Sequence, residues 1–171
     1  CSVDGADLSA CTGKLPNVTI AYTDGTWSSW SGSGTLTLRK DCTLDVNNNF
    51  SSSSRIYVNN NVQVIILGQG RTITAPSRDS FLQSYSGSRV IFHDVTVNHQ
   101  PSSTGYPVIQ ASGYLELNNT SITETKHHLI MVESTGSLVM NSGYLYSSAP
   151  WATVLSRGPV TINNGTIISQ N

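Results

Sequence analysis

Apolar and polar residues alternate along most of this chain, and the alternating stretches recur as copies. Val90–Val97, Leu115–Ile122, Leu138–Leu145 and Val160–Ile167 share one pattern: apolar, variable, apolar, polar turn pair, two variable, apolar. A fifth copy, Val64–Ile73, has the same ends around a longer Gly68-Gln69-Gly70 turn. Their first residues lie 26, 25, 23 and 22 positions apart. Units of that length bury their apolar faces by stacking on one another, which is the mark of a solenoid. The period of two within each unit predicts strands with one buried face, and no helical stripe interrupts it.

Asp94, Asn119, Ser142 and Asn164 occupy equivalent places in the copies and suit a sharp corner, because such side chains tolerate left-handed backbone and hydrogen-bond to it. A further strand precedes each unit at Ser80–Gln83, Pro107–Gln110, Leu129–Val132 and Ala152–Leu155. Three strands per coil predict an all-β parallel β-helix of about 6–7 coils of 22–26 residues. Residues 34–171 are assigned to coils, and Asn17–Ile20 opens like an earlier one. Residues 1–33 form an irregular cap in which Trp27 and Trp30 are available to cover the core, and 46–54 and 99–106 are expected to be loops.

The pairing of Val64-Ile65-Ile66-Leu67-Gly68-Gln69-Gly70-Arg71-Thr72-Ile73 with Val90-Ile91-Phe92-His93-Asp94-Val95-Thr96-Val97 resembles coils of the right-handed parallel β-helix superfamily typified by pectin and pectate lyases. The resemblance covers roughly residues 34–171 and rests on structural motifs, so it implies a fold more than an activity. Pectate lyases of this kind carry Ca²⁺-binding aspartates and an Arg or Lys base on the outer side of the first sheet. Here that sheet offers Gln83, Gln110, Met131, Glu133, Thr153 and Leu155, flanked by Arg78, Asp79, Lys126, His127 and His128. No carboxylate pair recurs on adjacent coils, and the polygalacturonase motifs are missing, so neither metal nor cofactor is expected. Asp94 with Glu116 is a conceivable hydrolytic pair, but Asp94 is better explained as a corner residue.

Two other surfaces carry candidate chemistry. Lys126, His127 and His128 with Glu133 form a cluster in which one histidine could serve as a metal-free lyase base. Neighbouring residues of an extended strand point oppositely, and a solvated loop is the simpler account of the run. On the strand after the corner, the outward positions read Thr72 and Thr74, Thr96 and Asn98, Ser121 and Thr123, Tyr144 and Tyr146, Thr166 and Ile168. Such a threonine ladder resembles the flat face of ice-binding solenoids, although threonine is also a good strand residue. Tyr144 and Tyr146 interrupt it, and with Trp151 they offer aromatic faces for sugar rings.

Charged residues make up 11% of the chain and the net charge is −1, which leaves no electrostatic footprint for nucleic acid. No apolar run is long enough to span a bilayer. A first residue of Cys rather than Met leads to the expectation of a removed secretory signal and a secreted or extracellular-surface location. Cys1 is expected to pair with Cys11, leaving Cys42 free; a Cys11–Cys42 pairing, with Cys1 lipidated, is the alternative. Of the N-x-Ser/Thr sequons, Asn17 and Asn49 lie outside the best-aligned coils and are the glycosylation candidates.

The last coil, around Val160–Ile168, has no successor to cover it, which points to flanking domains or end-to-end self-association. The expected function is a non-catalytic extracellular β-helix module with a structural, adhesive or glycan-contacting role. A small polysaccharide lyase or hydrolase and an ice-binding protein are the alternatives.

Overall fold

The computed structural model describes residues 15–102 and 105–170, and its regular elements are all strands. An antiparallel hairpin of β1 (Val18–Tyr22) and β2 (Trp27–Trp30) comes first. Six coils follow. Coil one holds β3 (Leu36–Leu38), β4 (Cys42–Val46) and β5 (Phe50–Ser51); coil two holds β6 (Ile56–Val58) and β7 (Gln63–Thr74); coil three holds β8 (Leu82–Ser84) and β9 (Arg89–His99). Coil four holds β10 (Ile109–Ala111), β11 (Tyr114–Asn118) and β12 (Thr120–Glu124), and coil five holds β13 (Ile130–Val132), β14 (Ser137–Met140) and β15 (Gly143–Ser147). Coil six holds β16 (Val154–Ser156), β17 (Val160–Ile162) and β18 (Thr166–Ser169).

The coils stack in parallel with three faces. The first face is the six-stranded sheet β3-β6-β8-β10-β13-β16. The second and third faces join into one sheet because β7 and β9 run unbroken through the corner between them. In coils four to six the same corner divides the ladder into separate strands.

Alternation in the sequence becomes columns in the core. Val64, Val90, Leu115 and Leu138 stack in register, as do Ile66, Phe92, Leu117 and Met140, and Ile73, Val97, Ile122 and Leu145; none is more than 2% exposed. Removing each such side chain from water is worth about 1.5–3 kcal/mol, and stacking repeats that gain on every internal coil. Outside the core an amide ladder climbs the second face. Asn141 Nδ2 donates to Asn118 Oδ1 at 2.9 Å, and Asn163 Nδ2 donates to Asn141 Oδ1 at 2.7 Å.

Corner geometry follows the sequence expectation in two coils and departs from it in two. Asp94 and Asn119 take left-handed backbone, with φ of 51° and 45°. At the next two corners the positive φ moves one residue on, to Gly143 at 132° and Gly165 at 124°, rather than falling on Ser142 and Asn164. A Cβ on Gly143 would stand 2.1 Å from the Thr120 carbonyl oxygen, so the coils approach there as only glycine permits. Gly143→Ala is expected to destabilise the protein by about 1–3 kcal/mol, measurable by urea unfolding.

Other expectations are corrected. Asn17–Ile20 is not an early coil: β1 runs antiparallel to β4 and closes the top of the second face. Of the two hairpin tryptophans, Trp30 is 6% exposed and meets Phe50 edge-on at 5.9 Å, whereas Trp27 is 47% exposed. The segment 46–54 is not simply a loop, since Phe50–Ser51 pairs with Ile73 and Thr74. His99, placed in a loop by sequence, ends β9 and is fully buried.

At the opposite end, no described strand pairs with the outer edges of β16, β17 and β18. Val160, Ile162 and Ile167 occupy core columns, yet they are 41%, 43% and 41% exposed.

Candidate functional site

The turn between β12 and β13 carries Lys126, His127 and His128, and a buried carboxylate holds it in place. Glu124 ends β12 with its side chain inward, directly beneath His99 in the stacked register. Its Oε1 accepts the backbone N–H of Lys126 at 2.7 Å and of His127 at 3.1 Å. Its Oε2 contacts His99 Nδ1. On the far side of the imidazole, Nε2 lies 2.9 Å from the Pro76 carbonyl oxygen, which can only accept, so Nε2 bears a hydrogen. The contact between Nδ1 and Oε2 therefore needs one further proton, shared by the pair. Both side chains are inaccessible to solvent, so this pair pins the turn and cannot meet a substrate.

Outside that anchor lies an aromatic platform. His127 and Trp151 are nearly parallel at 6.0 Å, His128 meets Trp151 at 5.6 Å and 67°, and the two histidines touch edge-on at 4.8 Å. His128 Nδ1 donates to the Ala152 carbonyl at 2.8 Å, which fixes its ring. Burial, followed by repulsion from His128, holds the His127 imidazole below the usual histidine range, so it stays neutral further into acid than a free histidine. His127 Nδ1 is buried with no hydrogen-bond partner among the described residues. Trp151 is 47% exposed and forms the open side of the cluster.

The remaining candidates lie elsewhere. Lys126 Nζ reaches the Ser102 carbonyl at 3.5 Å. Glu133 follows the opposite end of β13 and accepts from Gln110 Nε2 at 3.1 Å and Arg157 Nη1 at 3.0 Å. Tyr144 and Tyr146 lie parallel on the third face with centroids 6.2 Å apart, and Tyr146 Oη donates to Gln170 Oε1 at 2.8 Å. Among the described residues, the ring neighbours of Trp151 are the two histidines.

The threonine ladder stands in register, with Thr72 beside Thr96 beside Ser121, and Thr74 beside Asn98 beside Thr123. Tyr144 and Tyr146 follow, then Thr166 and Ile168. Thr123 Oγ1 is committed to Asn98 Oδ1 at 3.1 Å.

Several charges on the first and second faces are paired. Arg55 holds Asp79 and donates to Gln83 Oε1 at 2.7 Å. Glu116 is drawn below the usual carboxylate range, first by the Tyr114 hydroxyl at 2.6 Å, and Arg89 lies over the Tyr114 ring at 4.3 Å. Asp94, exposed at its corner, accepts from Asn119 Nδ2 at 2.6 Å.

Cys42 lies in the core and forms no disulfide among the described residues, and burial and the nearby Asp41 push its thiol up to about 12; Cys1 and Cys11, the cysteines that could pair with it, lie outside the described residues. Asn17 Nδ2 donates to the Ser31 carbonyl at 2.7 Å, while exposed Asn49 accepts the Thr72 N–H at 2.8 Å. No group of three His, Cys, Asp or Glu among the described residues could hold a metal, and no described helix is long and apolar enough to cross a membrane.

Sequence reasoning named the Lys126–His128 run but missed Glu124, which builds the turn. Its signal was available: an acidic residue at an inward position of the period-two pattern, one coil beyond His99. Compared with protein-family models, curated proteins and solved structures, the chain matches none of them.

Proposed function

We propose that the chain is a non-catalytic extracellular β-helix module, related in coil design to the pectin lyase-like superfamily, that contacts glycans through exposed aromatic rings. The observation that carries this reading is the Trp151 platform, where an indole held by His127 and His128 leaves an open face. An apolar ring with a polar margin suits the C–H face of a sugar. Tyr144 and Tyr146 add a second aromatic pair on the third face. Glu133 is engaged by Gln110 and Arg157 and lies at the far end of β13 from His128, while Lys126 Nζ is turned to the Ser102 carbonyl.

Native gels containing soluble xylan, β-glucan or polygalacturonate should retard the protein in at least one case. Trp151→Ala should weaken that retardation about five- to tenfold, as the loss of roughly 1 kcal/mol of ring contact predicts. No retardation by any of the three overturns the glycan role. Unsaturated products from polygalacturonate that disappear in Lys126→Ala or His127→Ala would replace it with a lyase.

A second reading rests on a different observation, the exposed core residues Val160, Ile162 and Ile167 beside strand edges that no described strand pairs. Covering them with another copy would make the module a structural element that assembles end to end. Light scattering over a concentration series should then show oligomers that dissociate in Ile162→Lys. A single monomeric species at high concentration removes this reading and leaves the first untouched.

A further inference from the structure

Asn164 is the one asparagine in the chain that is followed by glycine. At this corner Gly165 has φ of 124°, and its N–H donates to Asn164 Oδ1 at 2.8 Å. Both residues are exposed. The main-chain nitrogen of Gly165 is thus held against the carbonyl of the preceding side chain, with no Cβ to shield it. The other asparagines near the corners are tied elsewhere. Asn119 donates to Asp94 and precedes Thr120, while Asn118, Asn141 and Asn163 form the amide ladder.

We propose that Asn164 is a site of spontaneous self-modification, converting to aspartyl and isoaspartyl residues in the folded protein. Solvent hydroxide removes the Gly165 N–H proton, and the nitrogen electron pair forms a bond to Asn164 Cγ. The side-chain NH₂ takes a proton from the water so formed and leaves as ammonia, which regenerates hydroxide and closes a succinimide. Water then adds to one of the two imide carbonyls and breaks that C–N bond. The net change exchanges an amide for a carboxyl group, consuming water and releasing ammonia, with no oxidant or cofactor.

The fold gives this chemistry a consequence. An isoaspartyl link lengthens the main chain at a corner that packs on the preceding coil: a Cβ on Gly165 would stand 2.4 Å from Met140 Cε, the movable tip of that side chain, and 3.0 Å from the Gly143 carbonyl oxygen. The corner sets the register of β18 on β15, Tyr144 beside Thr166 and Leu145 beside Ile167. Conversion therefore adds a negative charge to the last coil and releases β18, while β17 keeps its pairing with β14.

The test is incubation of the folded protein at mildly alkaline pH, tryptic digestion, and mass spectrometry of the peptide that follows Arg157. That peptide should gain the mass difference between an amide and a carboxyl group and split into two isomers. The isoaspartyl isomer should be a substrate for protein isoaspartyl methyltransferase. Asn164 should convert faster than any other asparagine, Asn164→Gln should abolish the conversion, and hydrogen exchange of the modified protein should show protection lost at Ile168 and Gln170, whose N–H groups face β15, but kept at Leu138 and Met140. If Asn164 stays intact, or converts no faster than Asn119 in the same digest, the site assignment falls. If it converts with β18 protection unchanged, the structural consequence falls.

Discussion

Leu117→Asp is expected to abolish the fold, leaving a chain without a cooperative melting transition. Leu117 is fully buried between Phe92 and Met140 in adjacent coils, with apolar neighbours and no cation to receive a carboxylate. An unpaired ion in such a place costs several kcal/mol even after relaxation, and the shape lost from the stack adds about 2–5 kcal/mol. Together these consume most of the 5–15 kcal/mol that holds a typical domain. Met140→Asp should behave alike. Thr161→Asp, at an exposed outward position of β17, should stay within about 0.5 kcal/mol of the parent. Circular dichroism melts of the three variants decide the point, and equal damage from Thr161→Asp and Leu117→Asp would show that the inward and outward registers are exchanged.

That contrast is legible in the residues alone, because a period of two in a repeated unit leaves no freedom. Shifting a strand by one residue would turn Leu115 and Leu117 outward and Glu116 inward, so neighbouring coils settle one another's register. Features repeated in every coil can therefore be read from the chain: the three strands, the inward columns and the ladder running from Thr72 to Thr166. Features that occur once cannot. The β1–β2 hairpin alternates like a coil, since Val18 and Ile20 are buried just as coil residues are, and only its antiparallel pairing distinguishes it. Phe50–Ser51 sits among asparagines and serines whose composition suggests a loop, and burial of one aromatic ring against Trp30 overrides that local preference. The candidate site shows the same division. Trp151 is recognisable as an aromatic in a break between strands, but its partnership with His127 and His128 joins two successive turns of the coil, and no spacing within one unit encodes it. The glycine-bearing corners are half visible: Ser142 and Asn164 mark the right places, while the backbone freedom is supplied by the residue after each.

The pair at the centre of the His127 turn yields the second large effect. Glu124→Ala should destabilise the protein by about 3–5 kcal/mol, because it leaves His99 buried with no partner at Nδ1 and also orphans the backbone N–H groups of Lys126 and His127. In a chain of 171 residues that corresponds to a fall in melting temperature of roughly 10 °C. Glu124→Gln should cost far less, within about 1.5 kcal/mol. Its amide oxygen can accept the same two backbone N–H groups, and its NH₂ can donate to the Nδ1 lone pair of a neutral His99 whose Nε2–H still faces the Pro76 carbonyl. His99→Ala strips Glu124 of its proton-sharing partner but leaves the turn contacts in place, so the His99→Ala, Glu124→Ala double variant should lose less than the sum of the singles. Chemical denaturation of the four proteins measures each of these differences. Equal losses from Glu124→Ala and Glu124→Gln would mean that the ionic character of the pair, rather than its hydrogen-bond count, holds the turn. Strict additivity in the cycle would mean that the two side chains stabilise the coil independently, although they touch in its interior. The same variants connect stability to the surface above them, since the turn pinned by Glu124 carries the His127 ring on which Trp151 rests. Glu124→Ala should therefore loosen the platform and diminish any ligand-dependent change in Trp fluorescence, whereas Glu124→Gln should preserve it.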